Sequence, residues 1–170
     1  MTSQTDPTVT IRRNPQASGW IVEASQWLPA TINDVWPFFT DARNLEAITP
    51  DTLSFNVITP GTIEMRRGAL IDYKLRIRGV PVYWRTEIAA WEPGVRFVDR
   101  QIRGPYKRWE HEHTFEPEGA GTRCRDRVLY DVPGGPLAPI VNALIVQRDV
   151  DRIFRFRCEK LAARFDGRVA

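Results

Sequence analysis

The sequence is poor in cysteine and histidine, and it has no long apolar run. Its two cysteines, Cys124 and Cys158, are far apart, and only two histidines accompany them, so no spacing typical of a structural zinc site is present. Two such cysteines indicate buried free thiols in a reducing compartment. No stretch approaches the roughly 18 consecutive apolar residues of a membrane span. Because the polar N-terminus also lacks the apolar core of a signal peptide, we expect a cytoplasmic protein.

An excess of charge of one sign is also missing. Lys and Arg number 24 against 21 Asp and Glu, a net charge of +3, which is too small to indicate nucleic-acid binding by itself. With 42% hydrophobic residues over 170 positions, the composition excludes collagen, a coiled coil and a fully disordered chain. A chain of this length forms one domain with a core large enough to hold a cavity. We assign residues 1–18 to a loosely ordered arm, in which Val9 and Ile11 alternate weakly as in a short strand, and residues 19–168 to the domain.

The pattern of apolar residues predicts a strand, two short helices, six strands and one long helix. The first strand is predicted at Trp20–Leu28, and Thr31 and Asp41 are placed to cap the two short helices. Turn signals separate the six strands, which are predicted at 53–58, 69–77, 80–90, 95–103, 107–115 and 122–132. An apolar stripe then predicts a helix from about 137 to 165, its members being Leu137, Ile140, Val141, Leu144, Ile145, Ile153, Leu161 and Phe165.

Short hairpin turns make the sheet antiparallel and predict its register. On the outer face of the sheet, this register places opposite charges across from each other at Glu87–Arg100–Glu110–Arg127 and at Glu112–Arg125. Such cross-strand pairs are mildly stabilising. We therefore interpret the Arg-rich outer face as solvated and self-paired, and we expect no nucleic-acid partner.

The other face is mostly apolar and aromatic but holds a polar group. The predicted register places Asp99, His111 and Asp126 in one row across three strands, and Tyr73 opposite Thr86. Buried polar groups cost several kcal/mol unless they are paired. Three interpretations stay open: a structural network that ties the strands together, recognition of a ligand, and acid–base catalysis.

Three segments carry a resemblance to a known superfamily: LPATINDVWPFFTDARNLEAITP, RGVPVYWRTEI and FVDRQIRGPYKRWEHEHTFEPEGAGTRCRDRVLYDVPGGPL. In order and spacing they resemble the START-like, or SRPBCC, superfamily of polyketide cyclases, lipid-transfer domains and birch-pollen-allergen-like proteins. They are most similar to a bacterial ligand-binding branch of unknown ligand. The resemblance implies an α+β helix-grip fold, in which a seven-stranded curved antiparallel sheet wraps a long C-terminal helix. It also implies a pocket between sheet and helix that the two short helices close.

The inner face and this resemblance together give a set of expected ligand-binding residues. They lie on the first short helix, on the inner face of the strands and on the long helix: Trp36, Phe39, Tyr73, Leu75, Trp84, Thr86, Phe97, Gln101, Trp109, His111, His113, Val128, Tyr130, Ile140, Leu144 and Ile153. No catalytic motif transfers from the superfamily, because its members use different pocket residues for different chemistry.

Three functions follow as hypotheses. The first is binding or transport of a small hydrophobic molecule such as a lipid, polyketide or aromatic compound. The second is a cyclase- or dehydratase-type enzyme that uses His111 as the acid–base group, oriented by Asp99 or Asp126. The third is a protein–protein interaction module. We expect no cofactor and no metal ion, and the sequence leaves the ligand and the oligomeric state open.

Overall fold

The computed structural model describes residues 7–166. Within that range one antiparallel sheet of eight strands runs in the order β1-β2-β8-β7-β6-β5-β4-β3. The strands are β1 Thr8–Arg13, β2 Trp20–Leu28, β3 Asn56–Val57, β4 Leu70–Ile77, β5 Val80–Glu92, β6 Arg96–Arg103, β7 Arg108–Glu118 and β8 Gly121–Asp131. The α-helices are α1 Ile32–Phe39, α2 Ala138–Val141 and α3 Gln147–Phe165, and short 3₁₀ turns lie at Ala42–Leu45, Asp51–Leu53 and Gly135–Leu137. The α+β class and the long C-terminal helix on a curved sheet are as predicted.

The sheet has one strand more than the seven predicted. Thr8–Arg13 pairs antiparallel with β2 along its whole length, so this part of the expected loose arm is an edge strand. The weak alternation of Val9 and Ile11 has a physical basis, because both side chains pack against buried residues beneath α3. Residues 1–6 of the arm lie outside the described residues.

The predicted register is correct between β6 and β7, where Asp99 lies opposite His111, and wrong by two residues between β7 and β8. His111 lies opposite Val128, and Asp126 lies opposite His113. The cause is the β7–β8 turn, which has two residues instead of four. A shift of two keeps each side chain on its predicted face, because side chains alternate with a period of two.

The same error occurs between β4 and β5. Tyr73 lies opposite Trp84 rather than Thr86. The turn consists of Arg78 and Gly79, both with positive φ, which is the backbone of a tight hairpin turn matched to the twist of the strands. Further along, β5 carries two irregularities in its pairing with β6, and such bulges bend a strand and curve its sheet.

The outer face is self-paired, although the partners are not all those predicted. Arg100 pairs with Glu87 at 2.8 Å, as expected. Glu112 pairs with Arg96 at 2.9 Å instead of Arg125, and Arg125 pairs with Glu116 at 2.7 Å. The predicted Glu110–Arg127 pairing is wrong, because the two-residue register shift places Leu129 opposite Glu110.

The predicted long helix is interrupted at its beginning. A π-helical turn at Asn142–Val146 lies between α2 and α3, and the buried Tyr130 hydroxyl donates a hydrogen bond to Asn142 Oδ1 at 2.9 Å. The extra residue of a π turn shifts the phase of the apolar stripe. Consequently Ile140 and Leu144 are exposed by 56% and 58%, whereas α3 buries the stripe members Leu161 and Phe165. Leu137 is 62% exposed in the 3₁₀ turn before α2.

Neither cysteine is part of a disulfide. Cys124 and Cys158 are both buried and free, as predicted, and burial raises the pKa of the Cys158 thiol to about 11. None of the helices in residues 7–166 is long and apolar enough to cross a membrane.

Candidate functional site

A cavity of about 430 Å³ lies between the inner face of the sheet, α3 and the 3₁₀ turns that follow α1. Three aromatic rings stand at one end: the centroid of Trp84 is 5.5 Å from that of Trp109 and 5.7 Å from that of Tyr106. The volume falls in the range of small-molecule sites, and a mostly apolar wall with a few polar groups is typical of them.

Half of the predicted ligand-binding residues line this cavity. They are Tyr73, Leu75, Trp84, Thr86, Trp109, His111, His113 and Ile153, and the candidate acid–base residue Asp99 lines it too. All but Ile153 lie on strands. The period-two alternation assigned them to the inner face, and the register shift of two residues left that assignment intact.

Three predicted residues lie instead in a packed core at the α1 end of the sheet. Trp36, Phe39 and Phe97 pack around Phe115, with the Phe39 and Phe115 centroids 4.9 Å apart. Their rings fill the space that the sequence analysis gave to a pocket. Phe39 and Phe97 border only a void of about 30 Å³, which holds about one water molecule.

The other five lie away from the cavity for different reasons. Val128 and Tyr130 are fully buried in the core beneath α3. Gln101 turns its side chain to the β6–β7 loop, where Nε2 donates a hydrogen bond to the Tyr106 carbonyl at 2.7 Å. Ile140 and Leu144 face outward because the π turn changes the phase of the helix.

Several wall residues escaped the sequence analysis. Leu45, Thr49 and Phe55 come from the turns after α1, and Tyr106 comes from the β6–β7 loop, where no periodicity exists to assign a face. Arg157 was missed because a charged residue on a helix is normally exposed. Its spacing from buried Phe154 and Leu161, three and four residues away, was the available signal.

Two carboxylates and two imidazoles form a polar cluster at the wall, and three of the four, Asp99, His111 and His113, line the cavity. Asp126 Oδ1 lies 2.8 Å from His111 Nε2 and 2.7 Å from His113 Nδ1. Asp99 Oδ2 lies 3.1 Å from His113 Nε2 and 3.8 Å from His111 Nδ1. Each imidazole therefore lies between both carboxylates. Both histidines are only 4% exposed, and Asp126 lies behind them, outside the cavity wall.

These contacts determine which groups carry charge. Burial alone would raise the pKa of Asp126, but the hydrogen bond from His111 and the close approach of His113 lower it well below its usual value. The same balance lowers the pKa of Asp99. Burial and the neighbouring His113 lower the pKa of His111, whereas for His113 the two carboxylates outweigh burial and raise the pKa.

Arg157 adds a buried cation to this wall. Its residue is 8% exposed, and its guanidinium lies over the Phe154 ring at 5.2 Å from the centroid. Nη1 is 3.8 Å from Asp126 Oδ1, too far for a hydrogen bond. Neither Nε nor Nη1 has a hydrogen-bond partner within residues 7–166. Buried donors without a partner are rare in folded proteins, so Arg157 is a buried cation whose charge is only partly compensated by its neighbours.

The sequence also matches a known protein family. Residues 28–155 match the family described as polyketide cyclase/dehydrase and lipid transport. The chain belongs to this family. No curated protein matches the sequence.

Solved structures of low sequence identity share the fold. Protein Ms6760 from Mycobacterium smegmatis has a TM-score of 0.63 at 17% identity, over 92% of this chain and 99% of its own. TTHA0849 from Thermus thermophilus has a TM-score of 0.61 at 24% identity, over 85% and 98%. A START superfamily protein from Mycobacterium smegmatis has a TM-score of 0.63 at 12% identity, over 86% and 97%. At these identities the likeness shows the helix-grip fold alone.

Proposed function

We propose that the protein binds a small, mostly apolar molecule that carries an anionic or oxygen-rich group at one end. The observation that carries this proposal is the cavity of about 430 Å³ with aromatic rings at one end and the buried cation Arg157 on its wall. Membership of a family that includes lipid transport supports an apolar ligand.

Different residues of the cavity would bind different parts of the ligand. Trp84, Tyr106 and Trp109 offer apolar ring faces, which favour a ring system or an alkyl chain. Arg157 places a positive charge at a buried position on the wall, and a carboxylate, phosphate or enolate oxygen would balance it. The ligand class is therefore an amphipathic acid or polycarbonyl compound rather than a pure hydrocarbon.

The test compares two naphthalene probes that differ in charge, 2-naphthoate and 2-naphthylmethanol, by isothermal titration calorimetry. Arg157→Met keeps most of the apolar length and removes the donors. Because a hydrogen bond to a charged group is worth about 1.5–3 kcal/mol, we expect naphthoate to bind about tenfold to a hundredfold more weakly and the alcohol to change little.

Arg155→Met is the matched control, because Arg155 lies on the exposed side of the same helix and pairs with Asp151 at 2.8 Å. It should leave both affinities unchanged. The proposal is wrong if neither probe binds the unaltered protein, or if Arg157→Met weakens both probes equally.

A catalytic role for His111 stays a prediction. The imidazole reaches the cavity wall, but its Nε2 lies 2.8 Å from Asp126 Oδ1, which leaves only Nδ1 to face a bound molecule. Retention of naphthoate by a His111→Ala variant would show that this ring is not needed for binding the probe.

A further inference from the structure

The two histidines alternate with Glu112 on β7, so both rings stand on the inner face, beside Asp99 of the neighbouring strand. We propose that Asp99, His111 and His113 bind a divalent transition-metal ion at the wall of the cavity. One candidate ligand atom from each residue lies within 4.8 Å of those of the other two. The sequence analysis expected no metal ion here, although its register correctly placed Asp99 opposite His111.

The distances fit a common centre. Asp99 Oδ2 is 3.1 Å from His113 Nε2 and 3.8 Å from His111 Nδ1. Two ligand atoms that each lie about 2.1 Å from a tetrahedral metal ion are about 3.4 Å apart. The ligand atoms of His111 and His113 lie within 4.8 Å of each other, so the two rings must turn toward a common centre before all three atoms reach coordination distance.

Asp126 lies behind both imidazoles, and its hydrogen bond with His111 Nε2 favours the tautomer that this site needs. Its Oδ1 lies beside His111 Nε2 at 2.8 Å and His113 Nδ1 at 2.7 Å, the ring nitrogens that the proposed ion does not use. A carboxylate behind a histidine ligand keeps the proton on the far nitrogen and makes the near one a better donor. Asp126 Oδ1 is close to His113 Nδ1 but lacks hydrogen-bond geometry with it.

The site is open on the side of the cavity. The three proposed ligands all line the cavity, whereas Asp126 does not, so the remaining coordination positions point toward the bound molecule. Three protein ligands and an open position are typical of metal sites that bind water or a substrate. The carboxylates of Asp99 and Asp126 offset a dication, and Arg157, 3.8 Å from Asp126 Oδ1, leaves one positive charge that an anionic ligand would balance.

The donor set limits the choice of ion. Two imidazole nitrogens and one carboxylate oxygen suit Zn²⁺, Fe²⁺ and Co²⁺, and they do not suit Mg²⁺ or Ca²⁺, which prefer oxygen ligands only. The open positions would take oxygen donors, so an enolate, hydroxamate or carboxylate group of a ligand would complete the coordination.

The experiment titrates the chelator-treated full-length protein with Zn²⁺ by calorimetry, and with Co²⁺ by visible absorption. We expect one equivalent of Zn²⁺ and d–d bands of low-coordinate Co²⁺ that change on addition of acetohydroxamate. No stoichiometric binding at micromolar Zn²⁺ would overturn the proposal and leave the four residues as a hydrogen-bonded network. The readouts need no apolar probe, so this result is independent of the naphthoate test.

Variants then locate the ion. Asp99→Asn and His113→Gln should each abolish the Co²⁺ bands, and Asp126→Asn should weaken Zn²⁺ binding about tenfold to a hundredfold. Glu110→Gln, an outward residue of the same strand, is the matched control and should bind normally. Binding that survives in both ligand variants would place the ion elsewhere and overturn the proposal. If those variants fail to fold, the acetohydroxamate response of the unaltered protein decides: bands that acetohydroxamate leaves unchanged contradict an open site.

Discussion

At the α1 end of the inner face, Trp36, Phe39, Phe97 and Phe115 pack ring against ring; we refer to these four residues as the filled half. At the other end, Leu75, Trp84, Tyr106 and Trp109 border the cavity, and they are the open half. Both halves are rich in aromatic residues that lie on or against the inner face of the same sheet. They differ in what covers them, because α1 presses its side chains into one half while only short turns and α3 bound the other.

The difference shows that composition does not distinguish a core from a binding site. The polar cluster lies at the boundary: the His113 ring stacks on Phe97 of the filled half at 4.2 Å, and the same residue lines the cavity. A buried polar group at such a boundary can be satisfied by its protein neighbours on one side and by a ligand on the other.

The largest effect is expected from a truncation in the filled half. Phe115 is 3% exposed and surrounded by rings, so Phe115→Ala should lower the free energy of unfolding by about 3–5 kcal/mol. Trp109→Ala removes a larger side chain but should cost less, since one side of that ring borders the cavity. Chemical denaturation measures both. An equal or larger loss for Trp109→Ala would contradict the division into halves.

A smaller effect on stability, with a large effect on binding, is expected from filling the open half. Ile153 lines the cavity, so Ile153→Trp places new atoms in existing space. The free energy of unfolding should change by less than about 1 kcal/mol, whereas overpacking a dense core costs about 1–3 kcal/mol. The new indole ring would exclude the probe from a site of this size, so we estimate that naphthoate binds at least about tenfold more weakly. Calorimetry measures this change in affinity.

Ile140→Trp is the control for that variant. Ile140 is 56% exposed on α2, so the same substitution there should leave naphthoate binding unchanged. If both variants bind naphthoate normally, the probe does not occupy the cavity.

The sequence predicts the strands of this site better than its helices. Trp84, Thr86 and His111 could be assigned to the inner face because strand alternation survives a register error of two residues. Helical phase is less tolerant, and the π turn at Asn142–Val146 moved Ile140 and Leu144 to the surface. No periodic pattern signals such a turn.

The division into filled and open halves could not be predicted at all. Trp36 and Trp84 are the same residue type on the same side of the fold. Only the three-dimensional path of α1 decides that Trp36 packs in a core whereas Trp84 borders the cavity. The sequence analysis missed Arg157 because charged residues are usually exposed. That rule fails for a cation on the wall of a cavity.

A modest loss of stability, under about 1.5 kcal/mol for each substitution, is expected when tryptophans are replaced by phenylalanine. Decanoate does not absorb where tryptophan is excited, so it can report which rings a ligand reaches. In the unaltered protein it should shift the emission to shorter wavelength as it displaces water from Trp84 and Trp109. The double variant Trp84→Phe/Trp109→Phe should lose that shift. Trp91→Phe should keep the shift, because Trp91 packs 5.2 Å from Trp36 beside the filled half. If Trp91→Phe abolished the shift, the ligand would bind at the filled half, contrary to this prediction.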